Sequence, residues 1–124
     1  MPDFRTPRSK VIGLGAAHSG VGHFIGQRVS AIALFFLLPV FLAALALNSG
    51  SLSEARAFVA NPLGAILTLA TLTAAIYHMR LGVQVVVEDY IHNPGTKLVL
   101  LVANTLLCAG MWIAVLYSVL RIAA

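Results

Sequence analysis

Three long runs of apolar residues, separated by short polar segments, divide the sequence. Each run is long enough, at a rise of 1.5 Å per residue, to cross a hydrocarbon layer of about 30 Å. The runs predict transmembrane helices over about 29–48, 62–90 and 97–121. Pro39 lies inside the first run, where we expect it to kink the helix without ending it. The pattern predicts an all-α membrane protein with one three-helix domain over 29–124.

The polar segments predict where the helices end. Turn-forming residues at 48–50 follow the first run, and those at 93–95 follow the second. Residues 51–60 form a candidate short interfacial helix, capped by Ser51 or Ser53. The first 28 residues contain five glycines and two prolines, which favour an irregular N-terminal segment on the cytoplasmic side.

Composition excludes a water-soluble globular fold. Hydrophobic residues make up 60% of the 124 residues and charged residues only 10%, against about 25% in soluble domains. The net charge of +4 does not indicate nucleic-acid binding, because half of the basic residues precede the first predicted span and the basic residues form no stripe. The single cysteine, Cys108, excludes a disulfide or a CxxC metal site within this chain.

The distribution of basic residues predicts the orientation in the membrane. Those on the N-terminal side outnumber those on the other side: Arg5, Arg8, Lys10, Arg28 and Lys97 against Arg56 and Arg121. Because cytoplasmic flanks are enriched in Lys and Arg, we expect the N-terminus to be cytoplasmic. The first residues show no clear transit peptide, so we expect a bacterial inner membrane.

Polar residues within the second predicted span indicate a functional site. The segment at 77–93 (YHMRLGVQVVVEDYIHN) places a histidine, an arginine and two carboxylates on a helix that otherwise belongs in lipid. A neutral imidazole within a span is a good axial ligand for haem iron, and Gly82 would let a flat macrocycle approach the backbone. His78 is therefore a candidate haem ligand. Alternatively, His78 only donates a hydrogen bond to a neighbouring helix.

A six-coordinate haem needs a second ligand. The other histidines lie outside the predicted spans or at their ends: His18, His23 and His92. A second ligand must therefore come from another chain or another copy of this one. A stand-alone haem cytochrome is disfavoured for the same reason, unless the chain dimerises.

Two further groups of residues are candidates for ligand binding at the cytoplasmic side. Tyr90 could donate a hydrogen bond to a quinone carbonyl, with Asp89 relaying protons, although both also fit an ordinary interfacial flank. His23 and Gln27 share a face if the first helix starts early. Arg28 either snorkels to the surface or pairs with an anionic group such as a haem propionate or a lipid phosphate.

Two segments of the sequence carry a resemblance to a known family. HMRLGVQVVVEDY at 78–90 and, more weakly, GHFIGQRVSAIAL at 22–34 resemble the small hydrophobic membrane anchor of succinate dehydrogenase, respiratory complex II. The resemblance implies a two-chain helical bundle that holds one haem b and docks an iron–sulfur subunit and a flavoprotein subunit. It also implies that succinate oxidation takes place in those soluble partners, and that ubiquinone is reduced at the boundary of the anchor. This chain would have no catalytic centre of its own.

The resemblance also implies roles for individual residues. His78 would be one axial ligand of the haem iron, with Arg28 and His23 facing the propionates. Tyr90 would be a hydrogen-bond donor to quinone, with Asp89 beside it. Arg80 departs from the expected pattern, and either pairs with Asp89 or a propionate or indicates a shallower helix.

Two hypotheses of different classes follow. The first is an electron-transfer membrane anchor, which binds haem and quinone together with a second anchor chain, the cytochrome b subunit. The second is a cofactor-free structural subunit that tethers another membrane complex. The polar residues of the second span favour the first hypothesis, because burying them in lipid costs on the order of 2–3 kcal/mol each. The sequence does not separate succinate oxidation from fumarate reduction.

Overall fold

The computed structural model describes residues 6–8 and 20–123 of the chain. Residues 20–123 form four helices: α1 (Gly20–Leu47), α2 (Leu52–Ala60), α3 (Pro62–Tyr90) and α4 (Pro94–Ala123). The described residues contain no strand, which confirms the predicted all-α class. Arg5 and Lys10, two of the basic residues that predicted a cytoplasmic N-terminus, lie outside the described residues.

Three of the four helices are long and apolar enough to cross a membrane, as the sequence predicted. The bounds of α3 agree with the predicted 62–90, whereas α4 begins at Pro94, slightly before the predicted start. The first helix begins much earlier than expected, at Gly20, and continues through Pro39. Residues 20–28, for which the glycines predicted irregular structure, are therefore helical.

Packing against α3 explains why α1 tolerates Gly26. A Cβ atom at Gly26 would lie 2.6 Å from the hydroxyl oxygen of Tyr77 and 3.2 Å from Leu81. Gly26 thus permits a close approach between α1 and α3, and tertiary contact overrides the low helix propensity of glycine.

The predicted short helix between the first two spans is present as α2. The Oγ of Ser51 accepts a hydrogen bond from the backbone N–H of Glu54 at 3.2 Å, so Ser51 is the N-cap. Asn61 ends α2, and its Oδ1 accepts the N–H of Leu63 at 3.0 Å, so it also caps α3. One residue therefore joins the two helices, with Pro62 in the first turn of α3.

The connection between α3 and α4 is also short. The Oδ1 of Asn93 accepts the N–H groups of Gly95 at 3.0 Å and Thr96 at 3.2 Å. The ammonium group of Lys97 donates to the carbonyl oxygen of Glu88 at 2.9 Å, which satisfies a carbonyl in the last turn of α3. These bonds hold the start of α4 against the end of α3.

Helix α3 lies at the centre of the fold, in contact with the three other helices. It supplies most of the buried residues: Gly64, Thr68, Thr71, Ile76, Leu81 and Val87. The hydroxyl groups of Thr68 and Thr71 donate to carbonyl oxygens one turn earlier, at 2.7 and 2.8 Å, so neither needs a partner on another helix. By contrast, α1 and α4 leave most of their large apolar side chains exposed. Those faces are available to lipid and to other subunits.

Candidate functional site

His78 lies on the face of α3 that packs against α1. Its Nδ1 atom is 2.9 Å from the hydroxyl oxygen of Ser30, a residue that is only 5% exposed. The Ser30 hydroxyl also donates to the backbone carbonyl of Gln27 at 3.1 Å. The second ring nitrogen, Nε2, is 3.4 Å from the side-chain nitrogen of Gln27. Both nitrogens of the imidazole therefore face side chains of α1.

The side chain of Gln27 is only partly satisfied. Its Oε1 atom is buried and has no hydrogen-bond partner among the described residues. A buried amide oxygen without a partner normally costs about 1–3 kcal/mol. The arrangement around Gln27 is therefore one that a bound group or a partner chain would be expected to complete.

A cleft of about 460 Å³ separates α1 from α3 beside His78. Nine residues line it: Gly20, His23, Phe24, Gln27, Arg28, Ala31, His78, Val85 and Glu88. It thus brings together His78, His23 and Arg28, three of the five residues that the sequence nominated. The predicted common face of His23 and Gln27 is present, because helix α1 begins early enough to include both.

Basic, acidic and apolar side chains share the lining of this cleft. Arg28 is exposed, and its guanidinium group lies 5.2 Å from the centre of the Phe24 ring. His23 is also exposed. Phe24, Ala31 and Val85 supply apolar wall. An anionic group with an apolar body would match Arg28 and the apolar wall, but not the carboxylate of Glu88, which also lines the cleft.

The donor set around the cleft fits a haem group held between two chains. Within residues 6–8 and 20–123, no three His, Cys, Asp or Glu side chains gather as a metal-binding group. A haem iron that is shared by two chains needs only one imidazole from each chain. His78 can supply the imidazole of this chain. A Cβ atom at Gly82 would meet only the Gln27 amide, at 3.7 Å, so the surface of α3 is open there. Ligation through Nε2 of His78 would require the Gln27 amide to move aside.

Asp89 and Tyr90 lie at the end of α3, apart from the cleft. Both are exposed, Tyr90 by 75%, and neither lines the cleft. Glu88 lines it instead, and its Oε1 accepts a hydrogen bond from the Gln84 amide at 2.8 Å. The nominated residues therefore form two groups, one inside the cleft and one on the open surface beside it.

Arg80 lies on the opposite side of α3. It lines a second cleft, of about 300 Å³, together with Tyr77, Thr105 and Trp112. This cleft lies between α3 and α4, and neither Asp89 nor the cationic residues near His78 line it. The two clefts are thus on different faces of the central helix.

Ser30 is the residue of the candidate site that sequence reasoning missed. His23, Gln27 and Ser30 follow one another at spacings of four and three, which is the pattern of one helix face. A helix start at residue 20 would have revealed that face. The predicted start at residue 29 concealed it.

Comparisons with known proteins cover nearly the whole chain. Residues 2–118 match the family described as succinate dehydrogenase/fumarate reductase transmembrane subunit. The succinate dehydrogenase hydrophobic membrane anchor subunit of Paracoccus denitrificans is 29% identical over 117 residues, covering 94% of this chain and 90% of that protein. The subunit of the same name from Rickettsia bellii is 32% identical over 123 residues, covering 98% of this chain and 90% of that protein. No solved structure gives a significant match.

Proposed function

The chain belongs to the family of succinate dehydrogenase/fumarate reductase transmembrane subunits, and from this membership and the geometry of the cleft we propose a specific role in electron transfer. As a membrane anchor of succinate dehydrogenase, it is a multi-pass bacterial membrane protein that works in a complex. We propose that it holds haem b together with a second anchor chain and contributes to the site where ubiquinone is reduced.

The position of His78 beside the cleft is the observation that carries the haem proposal. His78 presents one imidazole to a cleft whose wall is apolar and whose mouth carries Arg28 and His23. In this proposal Nε2 of His78 would hold the haem iron together with a ligand from the second anchor chain. Haem b, when bound, supplies reversible one-electron chemistry.

The other residues of the cleft orient the bound group and exclude water. Arg28 and His23 would hold the propionates, since a guanidinium group binds carboxylate with directed hydrogen bonds. Phe24 and Val85 would contact the apolar macrocycle. The exposed outer faces of α1 and α4 leave room for the second anchor chain to close the site.

We propose that Tyr90 and Asp89 contribute to quinone binding and proton transfer. The phenol of Tyr90 can donate a hydrogen bond to a carbonyl oxygen, and the carboxylate of Asp89 can accept and pass on a proton. Their exposure at the end of α3 supports a site completed by neighbouring subunits. The iron–sulfur subunit and the flavoprotein subunit would dock on this side.

The orientation in the membrane follows from the positions of charge. Three spans place residues 6–8 and the α3–α4 turn on one side, and α2 on the other. Lys97 and Arg28 lie on the first side, which we propose is cytoplasmic because positive charge concentrates there.

A spectrum of the purified complex tests the haem proposal. The tagged chain is purified in mild detergent with its co-purifying subunits, as wild type, as His78→Ala and as the matched control His92→Ala. His92 is exposed in the turn after α3 and lines neither cleft. We expect a reduced-minus-oxidised b-type band in the wild type and the control, and its loss in His78→Ala.

Two other results would contradict the haem proposal. A wild-type complex that contains flavin and iron–sulfur subunits but no b-type band would favour the cofactor-free tether. An undiminished band in His78→Ala would remove the assignment of the ligand.

A further inference from the structure

The hydrogen bonds of Ser30 favour one tautomer of the His78 imidazole. A serine hydroxyl has one hydrogen to donate, and Ser30 donates it to the backbone carbonyl of Gln27, which can only accept. With its hydrogen on that carbonyl, the Ser30 oxygen, 2.9 Å from Nδ1 of His78, is placed to accept a hydrogen bond from the ring. In this arrangement the imidazole hydrogen lies on Nδ1, and Nε2 carries the free electron pair.

In the orientation that it adopts here, the amide of the Gln27 side chain is compatible with the same tautomer. Its amide nitrogen lies 3.4 Å from Nε2 of His78, and an amide NH₂ group can only donate. Nε2 must then be the acceptor, in agreement with the bonding of Ser30. Two side chains of α1 thus favour one tautomer of a histidine on α3.

We propose that Ser30 is a positioning residue that fixes the tautomer and ring orientation of His78, so that Nε2 is presented as the ligand atom. This inference rests on the proposed haem function. Histidines that bind metals almost always donate their other ring N–H to a fixed acceptor, which also makes the ligand nitrogen more basic. Ser30 meets the requirement for such an acceptor, since it is 5% exposed and is itself held by the Gln27 carbonyl.

The proposal predicts that Ser30 affects the haem although it does not contact it. In Ser30→Ala the Nδ1–H of His78 loses its acceptor, and Nε2 becomes a weaker donor to ferric iron. We expect a more positive midpoint potential of the haem and a shifted low-spin spectrum. We also expect about 10- to 100-fold weaker haem retention during detergent washing, the usual effect of losing such a partner.

Three further variants separate this role from simple packing. Ser30→Thr keeps a hydroxyl acceptor and should restore the potential. Ser30→Cys keeps nearly the same size but offers only a weak acceptor, so it tests the proposal even if the alanine variant fails to assemble. Thr71→Ala removes another buried hydroxyl, which bonds only within α3. Thr71→Ala should leave the potential unchanged.

The outcomes distinguish this inference from the proposed function. If the wild-type complex has no haem band, the proposed function fails. If the wild type and His78→Ala behave as proposed, but Ser30→Ala and Ser30→Cys have the wild-type potential and haem content, only the role of Ser30 is overturned. A shift in Thr71→Ala as large as that in Ser30→Ala would likewise overturn it, since packing alone would then explain both.

Discussion

The side-chain amide of Asn104 on α4 donates a hydrogen bond to the backbone carbonyl of Arg80 on α3, at 2.9 Å. Asn104 also accepts a weak bond from the thiol of Cys108, one turn later, at 3.6 Å. A second bond joins the same helices, from the indole N–H of Trp112 to the hydroxyl of Thr73 at 3.1 Å. Polar contacts thus supplement the small buried core between α3 and α4.

We predict that Asn104→Leu weakens the packing of α4 on α3. Interhelical hydrogen bonds in membranes contribute about 0.6 kcal/mol on average and at most about 1.7 kcal/mol, so we expect a loss in this range. Denaturant titration of the purified chain or complex in mixed micelles measures it. Thr105→Val is the matched control, because its hydroxyl bonds only to Leu101 on the same helix. An Asn104→Leu variant as stable as the control would contradict the prediction.

Gly64→Ala should destabilise the junction between α2 and α3. A methyl group at Gly64 would overlap the backbone carbonyl of Phe58, which cannot rotate away as a side chain would. Forced overpacking of this kind typically costs about 1–3 kcal/mol. The melting temperature and the yield of assembled complex are the measurements.

Gly110→Ala provides the comparison for Gly64→Ala. A Cβ atom at Gly110 would meet nothing within 4 Å in this chain. Because alanine has the higher helix propensity, by up to about 1 kcal/mol, this variant should be neutral or slightly stabilising. Equal effects at both glycines would show that steric overlap with Phe58 is not the cause.

Arg28→Gln should weaken haem retention without abolishing it. The guanidinium group is proposed to pair with a propionate at the exposed mouth of the cleft, where an ion pair is worth little more than about 1 kcal/mol. We therefore expect a loss of haem of up to about fivefold, larger at low ionic strength than at high salt. Haem content per flavin is the measurement. Arg56→Gln, on α2 at the other side of the membrane, should have no effect, and equal losses in both variants would refute the assignment.

Tyr90→Phe should slow quinone reduction and leave the soluble subunits active. Removing one hydrogen-bond donor costs about 0.5–1.5 kcal/mol, so we expect kcat/KM for quinone to fall by about two- to tenfold. Succinate oxidation with a dye that accepts electrons from the soluble subunits should be unchanged. Tyr117→Phe, exposed near the end of α4, is the control. An unaltered rate with quinone in Tyr90→Phe would exclude the phenol as a donor.

The extent of the spans was predictable from the sequence because it depends on local features. The start of α3 coincides with Asn61-Pro62, and α3 ends just before Asn93-Pro94, where Asn93 caps the start of α4. The start of α1 was not predictable in this way. Gly20, Gly22 and Gly26 disfavour a helix locally, and Gly26 is accommodated by contact with α3.

The candidate site was predictable only in part. The sequence identified His78, His23 and Arg28, which one cleft brings together, although it could not show that α1 and α3 form that cleft. The sequence could have predicted that Arg80 and His78 lie on different faces of α3, because residues two apart in sequence lie about 200° apart around a helix. Ser30 required the register between two helices distant in sequence, which hydropathy does not determine.

The single-residue link at Asn61 couples the position of α3 to that of α2. Since Asn61 both ends α2 and caps α3, the two helices have no spacer that would allow one to slide past the other. Glu54 and Arg56 favour a position for α2 at the water interface. An α2 helix held there would restrict how far α3 can move along the membrane normal. His78 is sixteen residues beyond Pro62, about 24 Å along the helix axis. With Pro62 at one surface of a hydrocarbon layer of about 30 Å, this distance would place the imidazole close to the opposite surface, at the level of Arg28. A longer link at Asn61 would uncouple α3 from α2 and allow His78 to change its depth in the membrane.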